Sequence, residues 1–406
     1  MKDLSSHCHN SELPCDNRGM TVTRPRPQMD PALGPKIRAI CEEIRQEYMS
    51  DHQHPWVIGF SGGKDSTLVV QLVFDTLMSL APHERTREIH IVSNDTLVES
   101  PLVISHIAAV QADLEQAASA WRLPIRVVST RPDVEGTFWV NVVGRGYPPP
   151  NRTFRWCTDR MKIQPTSRYI RERADSSGQV ILLLGVRRSE SSTRAATVAR
   201  YDNGERLNRH NDLLNCMVFR PIVELSTDEV WEYLAFTPPP WGGSHGPLFK
   251  LYLDAGAAEC PTVMSQDDSP SCGTSSSRFG CWTCTVVEKD KSLSGFVEAG
   301  FAEFTPLVEF RDWLVSIRND PERRMARRRN GRFTITSDGV FVPGPFTLEA
   351  RQEILDRLHA MEREMGLVLV REDEVARIHE IWAEDAGQMA RWSMEGDRAV
   401  VESGAS

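Results

Sequence analysis

A chain of 406 residues with 40% hydrophobic side chains can bury a sizeable core and has room for two or three domains. Its formal net charge of -9 excludes nucleic-acid binding by bulk charge, so any such contact needs a local basic patch. No apolar run approaches the roughly 20 residues of a membrane span, and the N-terminal segment lacks the apolar stretch of a signal peptide; no membrane contact and a cytoplasmic location are therefore expected.

Residues 1–30 are polar with scattered prolines and are expected to form a flexible tail. An amphipathic helix is predicted from Ile37 to Tyr48. WVIGF, Trp56 to Phe60, predicts a buried strand; SGGKDS, Ser61 to Ser66, follows at once, and a helix is predicted from Thr67 to Leu80. Next come a strand over Glu88 to Thr96, a helix over Val103 to Trp121, and a strand over Ile125 to Thr130. In that helix Ile104, Ile107, Ala108, Gln111, Leu114, Ala118 and Trp121 trace one mostly apolar face. From Arg131 to about Thr158 the pattern lapses into Gly144, Gly146 and Pro148 to Pro150, so a long functional loop is expected. A helix over Met161 to Ala174 and a buried strand over Val180 to Arg187 follow. This alternation predicts an α/β fold with a parallel sheet flanked by helices.

Ser226, with Glu229 three residues on, predicts a capping box and a helix that runs to about Phe236 and stops at Pro238. Residues 241–285 are rich in Gly, Ser and Cys, residues 305–335 carry a basic, helix-like stretch, and helices are predicted over 347–365 and 370–395. The expected division is a tail over 1–30, a nucleotide-binding domain over 31–240, a cysteine-rich segment over 241–300 and a basic, helical region over 301–406.

A strand, then SGGKDS, then a helix is a phosphate-binding layout. Gly62 and Gly63 let backbone approach an anion, and N–H groups at a helix start point at it. Ser61 and Ser66 add hydroxyls, and Lys64 adds a cation. Asp65 makes sense if Mg²⁺ is bound as well, because hard cations take oxygen ligands. A Walker A loop needs four residues between its first Gly and Gly-Lys-Ser/Thr, which this loop lacks. The loop resembles the PP-loop of the ATP pyrophosphatase superfamily. That resemblance implies ATP cleavage between the α and β phosphates and an adenine nucleotide α-hydrolase-like fold, with Lys64 and Asp65 catalytic.

GVRRSESSTRA, Gly185 to Ala195, resembles the Gly-x-Arg-x-x-Glu-Ser stretch of the phosphoadenosine phosphosulfate (PAPS) reductase branch. Arg187, Arg188 and Arg194 can hold phosphate or sulfate oxygens, and Glu190 can orient one of them; the plainer alternative is a solvated arginine-rich turn. RPIVELSTDEVWEYL, Arg220 to Leu234, resembles the segment that closes the domain in that branch. Asp95 ends the second strand, where α/β sheets bind ligands. It is a candidate for the nucleotide or its metal, or simply a strand-end turn residue.

Of nine cysteines, Cys272, Cys281 and Cys284 lie close together, the last two as Cys-x-x-Cys, and Cys157 stands in FRWCTDRMK. Four thiolates can close a zinc site or an iron–sulfur cluster, and spacing does not choose between them. Buried free cysteines are the plainer alternative. SGGKDST, DTLVESP, RWCTDRMKI, GVRRSES, SRFGCWTCTVV and FTLEAR together resemble the DndC family, PAPS-reductase-like proteins of bacterial DNA phosphorothioation, over about residues 50–365. The counterpart in single-strand phosphorothioation systems is also PP-loop based and stands as an alternative. The resemblance implies a [4Fe–4S] cluster on Cys157, Cys272, Cys281 and Cys284, with Cys260 in reserve. It also implies ATP with Mg²⁺, a cysteine desulfurase as sulfur donor, other phosphorothioation proteins as partners, and DNA as substrate. Cys8, Cys15, Cys41 and Cys216 fit no cluster pattern.

RRMARRRNGR carries Arg323, Arg324, Arg327, Arg328, Arg329 and Arg332, a basic run that can contact DNA phosphates. A solvated face or an acidic partner's surface is the alternative. Arg152, Arg155, Arg160 and Lys162 form a second basic group, beside Cys157. Three competing functions stand beside phosphorothioation. A PAPS or adenylylsulfate reductase uses a cysteine near its C-terminus, yet none follows Cys284. A tRNA thiolation enzyme and a zinc-stapled, non-catalytic ATP-binding module are the other two.

Overall fold

The computed structural model describes residues 28–201, 203–256, 279–335, 339 and 341–403. Its centre is β1 (Trp56–Gly59), flanked by β2 (Ile89–Asn94) and β4 (Val180–Leu183). Trp56 is in register with Ile89 on one side and Ile181 on the other. The sheet continues outward to β3 (Ile125–Thr130) on one edge. On the other it continues through β6 (Cys216–Phe219) to β5 (Leu207–Arg209). Every pairing is parallel except β5 with β6. The expected helix-flanked parallel sheet is therefore present.

The main core lies on one sheet face, under α1 (Leu33–Tyr48) and α2 (Lys64–Ser79). α2 is buried on nearly every side, as a helix that is apolar all round must be. α3 (Pro101–Ala120) packs there through Leu114, Ala117 and Ala118. Its expected apolar face is only partly used: Ile104 and Trp121 are exposed, at 41% and 52%. α5 (Gln164–Ser177) covers the opposite face with Ile170 and Ala174, after a short helical turn, α4 (Trp156–Thr158).

Residues 131–158 are not the one long loop that their glycines and prolines suggested. They hold a 3₁₀ turn over Val134–Gly136 and a π-helical turn over Val140–Gly144. Phe138, Trp139, Val140, Val142 and Val143 are all buried. The apolar run FWVNVV outweighs its flanking turn formers because it nucleates a second core. That core takes in α9 (Lys291–Glu298), α10 (Thr305–Ile317), α11 (Leu348–Met365) and α12 (Glu372–Ser403). The helical C-terminal region was thus correctly expected.

Among the elements that escaped the sequence pattern are α6 (Ser192–Tyr201), the antiparallel β5–β6 pair, α8 (Gly246–Asp254) and α9. α7 (Thr227–Phe236) has the predicted cap, with Glu229 N–H donating to Ser226 Oγ at 3.1 Å and Ser226 N–H to Glu229 at 2.8 Å. The helix-like stretch over 305–335 ends at Ile317. Beyond it come a 3₁₀ turn and a hairpin of β7 (Thr334–Ile335) and β8 (Phe341–Val342). Gly344 permits this course, since a Cβ there would stand 2.0 Å from the carbonyl oxygen of Arg327. No helix among the described residues is long and apolar enough to cross a membrane.

Candidate functional site

The SGGKDS loop lies at the carboxyl end of β1, where parallel sheets bind ligands. α2 begins at Lys64, three residues earlier than predicted, because its N-cap is Gly63 in an extended conformation with no capping side chain to signal it. Gly62 has φ +71°, and a Cβ there would stand 2.5 Å from Ile107 Cγ1, so both backbone and space demand glycine. Ser61 and Ser66 hydroxyls meet at 3.1 Å, and Ser66 Oγ donates to the Gly63 carbonyl at 3.0 Å. These bonds fold the loop into a closed turn.

Lys64 is 5% exposed. Its Nζ lies 3.5 Å from Asp65 Oδ2 and within 6 Å of the ring centroids of Trp231 and Tyr252, at 5.9 and 5.6 Å. Tyr252 Oη also accepts the Lys64 N–H at 3.3 Å. Asp65 is held from its other side by Arg187, whose Nε donates to Oδ1 at 2.6 Å. Arg187 is 1% exposed and also donates to Ser189 Oγ and Thr227 Oγ1, at 2.7 and 3.1 Å. Its own backbone N–H is taken by Glu190 at 3.1 Å. Arg187 therefore ties the loop to the turn after β4 and points inward. Arg188 sits at the surface and donates to Glu224 at 2.7 Å. The Arg194 side chain lies outside the described residues. Asp95 follows directly on β2 and accepts from the Leu97 N–H at 2.9 Å and from Arg131 Nε at 2.8 Å.

Gly185 makes this joint possible. A Cβ there would stand 2.8 Å from the carbonyl carbon and oxygen of Asp65 and 2.9 Å from Ser66 N. The contact is backbone against backbone and cannot relax by a rotamer change. Gly185→Ala is expected to cost about 1–3 kcal/mol of stability, as overpacking does. Urea unfolding checks this, and an unchanged midpoint would show that the two segments do not meet.

Cys157, Cys281 and Cys284 are drawn into one neighbourhood around Lys162. Cys281 forms an isolated bridge with Glu99, and Trp282 N–H donates to the Val98 carbonyl at 2.9 Å. Thr96 Oγ1 lies 3.3 Å from Cys281 Sγ. Burial pushes the Cys281 thiol up to about 11 and raises Cys157 as well. Burial also pushes Glu99 up to about 7, while the charges of Cys281, then Glu99, then the other two cysteines raise Lys162. Arg311 is fully buried and braces this segment, donating to the carbonyls of Cys284 at 2.9 Å and Glu288 at 2.7 Å. Among the described residues no group of three or more His, Cys, Asp or Glu forms a metal-holding set. Cys272 and Cys260 lie outside the described residues.

Residues 55–287, more than half of the chain, match the phosphoadenosine phosphosulfate reductase domain. The chain belongs to that family. It is similar, at 27% identity over 210 residues, to the uncharacterised protein MJ0066 of Methanocaldococcus jannaschii. That match covers 52% of this chain and only 36% of the relative's length. Among solved structures it resembles a PAPS reductase from Candida auris at TM-score 0.32 and 12% identity, over 52% of this chain and 87% of that one. It also resembles the U34-tRNA thiolase NcsA of Methanococcus maripaludis, solved with its [4Fe–4S] cluster, at 0.31 and 12%, over 53% and 70%. An FMN adenylyltransferase of Candida glabrata scores 0.33 at 8%, over 80% and 81%.

Within this PAPS reductase domain, sequence reasoning passed over Trp231, Tyr252 and His106, all of which meet the loop; His106 Nε2 is 3.2 Å from the Gly62 carbonyl. Nothing in their spacing marks them, since they come from helices far apart in the chain. It also passed over Arg311, Glu99 and Thr96 beside the cysteines. Arg152 and Arg155 of the second basic group are exposed, whereas Arg160 donates to Asn141 Oδ1 at 2.8 Å.

Under the loop helix, His245 Nε2 meets Gln71 Oε1 at 2.8 Å. Burial, then the nearby His106, lowers the His245 pKa to about 4. The folded chain thus binds fewer protons here than the unfolded chain, and the stability present above the unfolded value of about 6.5 is lost as pH falls toward 4. Asp75 acts oppositely: burial pushes it up to about 6, so protonation between 6 and its ordinary range favours the fold. His245→Gln removes only the first effect. Its stability should fall less than that of the parent between pH 6.5 and 4.5, as read by urea midpoints across that range.

Proposed function

We propose that the chain is an ATP pyrophosphatase and sulfurtransferase of DNA phosphorothioate modification. The observation that carries this reading is a juxtaposition. The single segment from Thr96 to Ile107 touches the phosphate loop through His106 and Ile107 and the cysteines through Thr96, Val98 and Glu99. Nucleotide cleavage and sulfur chemistry would then share the carboxyl end of the sheet. The resemblance in RWCTDRMKI and SRFGCWTC supplies the sulfur and the DNA.

In this reaction a non-bridging DNA phosphate oxygen attacks the α-phosphorus of ATP, and pyrophosphate leaves. Persulfide sulfur from a cysteine desulfurase then attacks the activated DNA phosphorus. AMP departs with the oxygen, and a thiol reduces the remaining sulfur–sulfur bond. Lys64 and the loop N–H groups stabilise charge on the departing pyrophosphate. Asp65 and Asp95 are the carboxylates that would serve Mg²⁺, and both carry cationic partners in this structure. Thiol donors suit an iron–sulfur cluster. Cys157, Cys281 and Cys284, with Cys272, would hold a [4Fe–4S] cluster that supplies sulfur-handling or redox capacity. The DNA and the other phosphorothioation proteins would approach from this end.

The test is to identify the products of ATP with and without DNA. AMP and pyrophosphate are expected, and ADP with phosphate would overturn the reading. Mass spectrometry of nuclease-digested DNA from a host carrying the full gene set, with and without this chain, tests the substrate. Thionucleosides lost from tRNA, with DNA unchanged, would move the assignment to tRNA thiolation.

A further inference from the structure

The basic run Arg323 to Arg332 divides into two functions. Arg323 is paired with Asp320 and Glu353. Arg324 donates to the carbonyls of Arg318, Pro343 and Gly344, and Arg329 is paired with Asp385. These three arginines hold the fold. Arg327, Arg328 and Arg332 are exposed and have no carboxylate partner among the described residues. Arg328 Nε donates only to Thr334 Oγ1, at 3.1 Å, and the Arg327 guanidinium lies 4.7 Å above the Phe333 ring.

The hairpin beside them exposes apolar rings where a soluble surface would ordinarily bury or omit them. Phe333, Ile335 and Phe341 are 56%, 64% and 45% exposed, and the two rings lie 6.4 Å apart. Cations without a carboxylate partner beside exposed aromatic rings, one of them already under a guanidinium, are complementary to a polyanion that also offers flat rings. Duplex DNA offers the charge with its rings stacked away; an unpaired strand offers both.

We propose that Phe333 and Phe341, with Arg327, Arg328 and Arg332, form a stacking platform for unpaired nucleobases, so that the nucleic acid is engaged as a single or locally opened strand. This rests on the DNA reading above and narrows it. The probe is a fluorescein-labelled oligonucleotide of mixed sequence, used single-stranded or annealed to its complement, with the full-length protein and anisotropy as readout. Phe333→Ala with Phe341→Ala should weaken single-strand binding about tenfold or more and duplex binding far less, with the salt dependence retained. Phe333→Trp should keep the affinity. Replacing Arg327, Arg328 and Arg332 by alanine should weaken both forms and flatten the salt dependence. Equal losses on both forms in the phenylalanine variant, or unchanged single-strand binding, would overturn the platform and assign the patch to simple charge or to a protein partner. Both rings are largely exposed, so an unchanged melting temperature checks folding. ATP binding without DNA should be unaffected in every hairpin variant. Release of ADP and phosphate by the parent protein with DNA present would remove the proposed function without touching this test.

Discussion

Replacing Arg187 by methionine is expected to cost about 3–5 kcal/mol of folding stability, because it leaves the Asp65 carboxylate in a mostly enclosed site without its main partner. Arg187 is 1% exposed and Asp65 lies 2.6 Å from its Nε. The guanidinium also joins Ser189, Thr227 and the Leu225 carbonyl, so three segments lose their common tie. The same change at Arg188 should cost under about 1 kcal/mol, since its partner Glu224 is mostly exposed and water screens the pair. Urea unfolding of the two variants gives the contrast directly. A double variant, Arg187→Met with Asp65→Asn, should recover part of the loss, because no charge is then stranded. Equal, small effects at both arginines would mean that Asp65 is solvated and that the joint between the loop and the turn after β4 is loose.

Lys64→Met is expected to slow ATP cleavage by about 10²–10³-fold, the range seen when one preorganised charge-stabilising group is removed. Methionine keeps apolar contact with the rings of Trp231 and Tyr252, which flank the lysine. Most of the effect should therefore appear in turnover, read as pyrophosphate release at saturating ATP. Asp65 keeps Arg187 as partner, so the melting temperature should move little. Turnover near that of the parent would remove Lys64 from the chemistry and leave the loop as a binding element alone. The Arg187 variant differs in kind: it should lose activity through loss of the folded loop, so the two variants separate charge stabilisation from positioning.

Local spacing made several features legible in advance. The order of VIGFSGGKDS predicts a strand, a glycine turn and a helix, and Ser226 with Glu229 predicts a cap, since both depend on neighbours a few residues away. Alternating strands and helices made the parallel sheet legible for the same reason. FWVNVV was misread because the glycines and prolines that flank it act locally, whereas the burial of Trp139 depends on Leu369, 230 residues away, whose carbonyl accepts its indole N–H. Arg187 and Arg188 are adjacent and chemically identical in the sequence. Only the fold turns one inward to Asp65 and leaves the other at the surface.

By itself, then, the sequence determined the glycine turn between β1 and α2, the need for Gly62 and the helix-flanked parallel sheet. These rest on backbone geometry and short-range periodicity. The tertiary structure alone decided that Cys157, Cys281 and Cys284 share a neighbourhood around Lys162, that Trp231 and Tyr252 flank Lys64, and that the basic run splits into three structural and three exposed arginines. Each of these brings together groups tens to hundreds of residues apart, or depends on which side of a segment is buried. Packing of the two cores sets both, and local spacing carries no record of it.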